Sequence, residues 1–147
     1  MGIKLSTKEQ NYNLYVIVDD QEVNRWLLEK FISREDPSAI VLSCSSGEDA
    51  IIRVSDALGS NYTISAIIMD LQMPGMDGDI ALMEICKRYR EITGRSTRED
   101  NVECTIFTAN TEFKRKQECP NNKECLGCYG VEYKPATRNK VLRMLGL

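Results

Sequence analysis

"IIMDLQMPGMDG", residues 67–78, decides how this chain folds. An apolar run of strand length ends in Asp70 and breaks at once into a loop punctuated by Pro74, Gly75 and Gly78. A continuous β-branched run of this kind reads as a strand buried on both faces, and the breakers after it as its close. A carboxylate at the end of a buried strand costs free energy unless something pairs with it. Asp70 therefore points to partners elsewhere in the sequence.

Working outward, strand-length apolar runs alternate with segments of helical period. LYVIV (14–18) reads as the first strand, 39–44 as the second, 64–69 as the third, 102–107 as the fourth and 131–133 as a short fifth. Between them, Val23, Trp26, Leu27, Lys30 and Phe31 space a first helix, with Leu27 and Phe31 four apart on one face. Ser46 opens a second helix carrying Ile51, Ile52, Val54 and Leu58, stopped by Gly59. A third runs from Ile80 to Tyr89, and the last from Thr137 to Leu145 with Val141, Leu142 and Leu145. Five strands alternating with helices predict an α/β fold: a doubly wound five-stranded parallel sheet with helices on both faces, flavodoxin-like. The first 13 residues read as a loose arm, residues 14–147 as one domain, and TGRSTREDN (93–101) as an exposed loop.

In such sheets the functional site lies beyond the C-terminal ends of the strands. Those ends carry Asp19 and Asp20 after the first strand, Asp70 after the third, Thr108 after the fourth, and Lys134 with Pro135 after the fifth. A lone strand-end Asp is most often a cap or a turn former. Five residues at four strand ends form a more specific pattern. Three carboxylates suit a hard, oxygen-seeking cation such as Mg²⁺. A lysine and a hydroxyl beside them would neutralise and hydrogen-bond an incoming anion, and a carboxylate so placed is a candidate nucleophile toward phosphorus.

Composition narrows the alternatives. The chain has 147 residues, 42% hydrophobic and 28% charged, with a net charge of −3 and no histidine. Those values fit a soluble globular domain and give no global basic field for nucleic acid. No apolar run reaches membrane-spanning length, and the N-terminus lacks the apolar centre of a secretory signal, so a cytoplasmic, reduced setting is expected. Gly2 and Ser6 match the short N-myristoylation spacing, a weak pattern alone. The absence of histidine excludes Ser-His-Asp and Cys-His catalysis. Any phosphohistidine must come from a partner. Cys44 and Cys104 lie in apolar runs and read as buried small hydrophobes.

VIVDDQEVNRWLL (16–28), IIMDLQMPGMDG (67–78), FTA (107–109) and YKP (133–135) together resemble the motifs of response-regulator receiver domains, especially those of hybrid histidine kinases. The resemblance covers about Tyr15 to Leu145. It implies that Asp70 is the phosphoacceptor, that Asp20 binds Mg²⁺ directly, and that Asp19 binds it directly or through water. The backbone carbonyl of Gln72 would be a further metal ligand, Thr108 the switch hydroxyl and Lys134 its cationic partner. In the family the Lys134–Pro135 bond is often cis, and Ala109 leaves room for a phosphoryl group. The implied partner is a histidine kinase or a histidine phosphotransfer protein, docking near the first helix. The chain would catalyse its own phosphorylation and dephosphorylation, with no turnover on a small substrate. No second core follows Leu147, so the expectation is a stand-alone regulator or a domain of a hybrid kinase.

Two features depart from the family pattern. Val131 stands three before the lysine, where the family usually has an aromatic, while Tyr133 and Tyr129 flank it. The segment ECPNNKECLGCYG (118–130) interrupts the place of the fourth helix, leaving a short helix expected from about Glu112 to Glu118. Cys119, Cys125 and Cys128 could supply three of four zinc ligands, a redox pair or ordinary loop cysteines. With no second Cys-x-x-Cys, a metal is not expected there. KRYRE (87–91) reads as a solvated helix face, and FKRK (113–116) is too short a basic patch for nucleic acid. The remodelled fourth-helix face predicts a monomer. The rival readings are a degenerate receiver acting as a constitutive, phosphorylation-independent binding module, and an aspartyl-phosphate hydrolase. Against the second, no acid stands two residues after Asp70.

Overall fold

The computed structural model describes residues 12–115 and 129–147. Five strands, β1 (Leu14–Val18), β2 (Ile40–Cys44), β3 (Ile64–Met69), β4 (Glu103–Thr108) and β5 (Gly130–Tyr133), form one parallel sheet in the order β2-β1-β3-β4-β5. Four helices stand among the described residues: α1 (Glu22–Glu35), α2 (Gly47–Gly59), α3 (Gly78–Thr93) and α4 (Arg138–Leu145). The doubly wound architecture is as the sequence predicts, with strand order reversing between β1 and β3. That reversal opens the crevice beyond the strand ends.

Two apolar layers flank the sheet. Val16, Val18, Ile67, Met69 and Ile106 point to one side, against Val54 and Leu58 of α2 and Leu82 and Ile85 of α3. Tyr15, Ile17, Ile68 and Phe107 point to the other, against Leu28 and Ile32 of α1 and Val141, Met144 and Leu145 of α4. Residues of one strand alternate between these layers because side chains in a strand alternate faces. β1 and β3 are buried on both sides along most of their length, which is why their sequences carry apolar runs.

Several expectations need correction. The inward face of α1 is Leu28 and Ile32, with Phe31 partly packed, while Val23, Trp26 and Leu27 are 68%, 54% and 41% exposed. The run Trp26-Leu27-Leu28 and Phe31-Ile32 contains two i,i+4 apolar pairs offset by one residue, and the sheet selects the second. On α2, Ile52 faces solvent, and on α4 Met144 is buried where Leu142 is only partly so.

The 93–101 segment is not simply exposed. Ser96 and Thr97 are buried, and Ser96 and Glu99 form a reciprocal pair in which each backbone N–H donates to the other's side chain, at 3.2 and 3.0 Å. This is a capping-box arrangement. Tyr89 adds a hydroxyl bond to Asp100 at 2.6 Å.

After β4, residues 111–112 make a turn and 113–115 have no regular structure, so the expected helix does not start at Glu112. Its remainder lies outside the described residues, as do Cys119, Cys125 and Cys128 and most of the predicted N-terminal arm. Within that arm, Asn13 is described and tied down, since its side chain donates to Asp36 and accepts from Ser65. Cys44 and Cys104 are buried as expected, and Cys86 joins them. No described helix is long and apolar enough to cross a membrane.

Candidate functional site

β1 and β3 are hydrogen-bonded neighbours, so their ends lie side by side. The Asp70 N–H donates to the Val18 carbonyl at 2.8 Å and the Asp19 N–H to the Cys44 carbonyl at 3.1 Å, which carries strand pairing one residue past each strand. One carboxylate oxygen from each of Asp19, Asp20 and Asp70 falls within 4.8 Å of the others. Asp19 and Asp70 are buried, and Asp20 is half-buried.

Lys134 arrives from the far side of the sheet. The Lys134 N–H donates to the Thr108 carbonyl at 2.8 Å, which fixes the end of β5 against the end of β4. The Lys134 ammonium donates to Asp19 Oδ2 at 2.8 Å and to Asp70 Oδ1 at 3.3 Å. The Lys134–Pro135 bond is cis. Thr108 is buried, and its hydroxyl oxygen accepts the Asn110 N–H at 3.0 Å. Gln72 opens the loop after Asp70 with its side chain in solvent, and Ala109 is exposed.

The start of α1 orients Asp19. Its Oδ1 accepts the Gln21 N–H at 2.8 Å and the Asn24 amide at 3.4 Å, and its carbonyl accepts Arg25 Nη1 at 2.7 Å. Unpaired N–H groups and the positive end of the dipole make a helix N-terminus a favourable seat for a carboxylate. Asn24 and Arg25 carry no recognisable signal in the sequence. Gly78, which closes the motif, has a packing reason: its N–H donates to the Leu71 carbonyl at 2.7 Å, and any side chain there would strike the Asp70 backbone.

Charge sets the behaviour of the cluster. Burial pushes the Asp70 carboxyl above its ordinary value, the neighbouring Asp19 charge pushes it further, and Lys134 only partly offsets this. Burial works against the charged form of Lys134, but its hydrogen bond to Asp19 and the charges of Asp19 and Asp70 outweigh it and raise its pKa. Among the described residues, Lys134 is the one cation hydrogen-bonded to a carboxylate of the trio, so three acids stand against a single ammonium. The donor set, all hard oxygens with an excess of two negative charges, fits a divalent cation of the Mg²⁺ type.

Comparison with known proteins identifies the family of the fold. The profile of the response regulator receiver domain matches residues 15–144. The osmosensing histidine protein kinase SLN1 of Saccharomyces cerevisiae is 27% identical over 145 residues, 97% of this chain and 11% of that protein. Hybrid signal transduction histidine kinase L of Dictyostelium discoideum is 29% identical over 60% of this chain and 6% of its own length. Transcriptional regulatory protein ResD of Bacillus subtilis is 32% identical over 56% of this chain and 30% of its own length. The chain thus spans a small part of each of these relatives.

Among solved structures, the signal receiver domain of an HD domain-containing protein from Pseudomonas fluorescens Pf-5 superposes with a TM-score of 0.65 at 20% identity, covering 92% of this chain and 93% of that one. CheY in the CheX-CheY-BeF3-Mg complex from Borrelia burgdorferi gives 0.63 at 24% identity, with 90% and 85% covered. The receiver domain of hybrid histidine kinase CckA gives 0.60 at 21% identity, with 89% and 94% covered. These likenesses fix the fold. With its profile match over nearly the whole chain, this protein belongs to the response regulator receiver domains of two-component signalling.

Proposed function

We propose that the chain is a phosphoacceptor in a His–Asp phosphorelay, taking a phosphoryl group on Asp70 from a phosphohistidine of a partner histidine kinase or phosphotransfer protein. The observation that carries this reading is the Lys134 ammonium bridging Asp19 and Asp70, with Asp20 completing the acidic cluster and Thr108 ending the adjacent strand. Asp19, Asp20, Asp70 and the Gln72 carbonyl would hold Mg²⁺, which supplies charge neutralisation for the phosphoryl oxygens.

The residues of the chain divide the rest of the work. A carboxylate oxygen of Asp70 attacks phosphorus in line. The new O–P bond forms as the P–N bond to the partner's imidazole breaks, and the imidazole keeps the electron pair and takes up a proton. Lys134 stays bound to Asp19 and offers its remaining N–H donors to the phosphoryl oxygens. Thr108 donates its hydroxyl hydrogen to one of them. Burial and the Asp19 charge raise the Asp70 pKa, and the phosphoryl group adds further negative charge to the site, so Lys134 and a cation held by the acids would have to offset it.

The docking face we assign is α1. Val23, Trp26 and Leu27 are exposed there, beside a groove of about 290 Å³ walled by Leu27, Phe107, Lys134, Pro135 and Ala136. A contiguous apolar surface next to the reacting group suits a helical partner bringing its phosphohistidine to Asp70. We place the protein in the cytoplasm, as a monomeric domain of residues 14–147.

Val131 favours one second reading, a constitutive binding module without a productive switch. Incubation with Mg²⁺ and a small acyl phosphate, followed by intact mass, separates the two. A single phosphoryl adduct on the wild type, absent without Mg²⁺ and in Asp70→Asn, is the expected result. No adduct from the acyl phosphate, or from a phosphorylated histidine partner, leaves the binding module.

A further inference from the structure

With Val131 at the usual aromatic position, ring reorientation there is closed to this chain. The structure shows another connection leading out of the site. The Thr108 hydroxyl oxygen accepts the Asn110 N–H at 3.0 Å, and the Asn110 carbonyl accepts the Phe113 N–H at 3.1 Å. The Phe113 carbonyl in turn accepts the hydroxyl of Tyr133 at 2.7 Å. Tyr133 lies opposite Thr108 in the β4–β5 register and immediately precedes Lys134. Its own carbonyl is held by the Lys140 ammonium at 2.7 Å. The contacts form a closed circuit that leaves β4 at Thr108, passes through the loop and returns to β5 beside Lys134.

We propose that Tyr133, through the bond from its hydroxyl to the Phe113 carbonyl, couples the state of the acidic site to the surface loop 109–115. The proposal rests on the phosphoacceptor reading above. An anion on Asp70 draws the Thr108 hydroxyl toward it as a donor, which stretches the contact with the Asn110 N–H. Asn110 is bonded to the loop at two points, since its side-chain oxygen also accepts the Glu112 N–H at 3.1 Å. The pull therefore reaches Phe113, whose ring is partly packed on the core and whose carbonyl is pinned by Tyr133.

Phe113 and Tyr133 are both half-buried, so water can replace the bond between them when the loop shifts. Two loop arrangements separated by one such bond differ by a small free energy, which a ligand at the acidic site is able to overcome. Tyr133 is a positioning residue in this scheme, acting through the loop and touching no reacting atom.

The test is hydrogen exchange on the full chain, wild type and Tyr133→Phe, each in Mg²⁺ alone and in Mg²⁺ with beryllofluoride. We expect peptides covering 70–78 to gain protection from beryllofluoride equally in both proteins. The 109–115 peptide should change on addition in the wild type. In Tyr133→Phe it should exchange about fivefold faster beforehand and respond no further. A purely structural role would shift the basal rate and keep the response. The proposal is overturned if the 109–115 response is the same in both proteins, or absent in the wild type while 70–78 is protected. Failure of the phosphoacceptor reading looks different: 70–78 gains no protection in the wild type, and the coupling proposal falls with it.

Discussion

A Cβ placed on Gly78 would lie 1.8 Å from the Asp70 carbonyl oxygen and 2.8 Å from its carbonyl carbon. The start of α3 is thus pressed directly on the backbone of the acid at the centre of the site. No side chain fits, and because the obstructing atoms are backbone, no rotamer change relieves the clash.

Gly78→Ala must therefore move the Asp70 peptide or the first turn of α3. We expect it to cost about 2 kcal/mol or more in urea unfolding, the range of overpacked core sites, and to weaken Mg²⁺ binding because Asp70 loses its register with Asp19. An alanine variant within about 0.5 kcal/mol of wild type would show that the loop 71–77 absorbs the added methyl group.

Lys134 is the cation between two buried acids, and removing it leaves them facing each other. Lys134→Met should destabilise the metal-free protein by about 2 kcal/mol, below the cost at a fully buried pair because the lysine is partly exposed. Mg²⁺ should restore much of that loss, since a divalent cation supplies the missing charge. Unfolding midpoints in chelator and in Mg²⁺ read this directly. Equal destabilisation in both would mean that the lysine's role is packing against Phe107, over whose ring its ammonium sits at 5.9 Å.

Asp70→Asn should have the opposite sign. The folded pKa of Asp70 lies above its unfolded value of 3.8, because burial and Asp19 disfavour the charged form. The folded state therefore binds the Asp70 proton more tightly than the unfolded chain does. The stability tied to that proton is present below pH 3.8 and is lost as pH rises through the folded pKa. At neutral pH without metal, the ionised carboxylate works against the fold, so Asp70→Asn should raise the unfolding midpoint. The gain should shrink in Mg²⁺, since Asp19 and Asp20 remain in both proteins but the Asp70 carboxylate would be a ligand in the wild type alone. A lower midpoint for Asp70→Asn in chelator would contradict this account.

What was legible in the sequence, and what was not, follows from the range of each interaction. Strands β1 and β3 are buried on both faces along most of their length, and that condition produces the apolar runs LYVIV (14–18) and AIIM (66–69). Once the strands are placed, the parallel sheet brings their C-terminal residues together, so the gathering of Asp19, Asp70 and Lys134 needs no knowledge of side-chain detail. The face of α1 was not legible, because Leu27/Phe31 and Leu28/Ile32 both have helical spacing and only the sheet distinguishes them. The 93–101 segment hid its order in polar residues that bond one another, Ser96 with Glu99 and Tyr89 with Asp100. The Tyr133 contact was invisible for a simpler reason: its acceptor is a main-chain carbonyl twenty residues away, and a carbonyl has no signature in composition.

Three thiols should be unreactive in the folded protein. Cys44, Cys86 and Cys104 are all buried, and burial pushes the Cys44 thiol up to about 11. Only the thiolate alkylates, so at pH 8 Cys44 should react with iodoacetamide about a hundredfold more slowly than a free cysteine. Peptide mapping after brief alkylation, native against denatured, gives the rate at each site. Rapid native labelling of Cys44 would mean that the β2 edge opens on the timescale of the reaction.

Alkaline titration isolates the bond between Tyr15 and Asp36, which ties β1 to the end of α1 at 3.0 Å. Burial, then the hydrogen bond to Asp36 and its negative charge, raise the Tyr15 hydroxyl from 10.0 to about 12. A group whose folded pKa is raised stabilises the protein fully below its unfolded pKa, and that contribution fades as pH climbs to the folded value. Wild type should therefore exceed Tyr15→Phe by about 1 kcal/mol at pH 7. The difference between the two should fall between pH 10 and pH 12, where the unfolded wild-type chain ionises first. Using the difference removes the parallel effect of Tyr89, whose hydroxyl is raised by burial and by Asp100 and is the same in both proteins. A difference that stays constant through that window would mean that the Tyr15 hydroxyl exchanges its bond to Asp36 for solvent, leaving its ring as the part that supports the core.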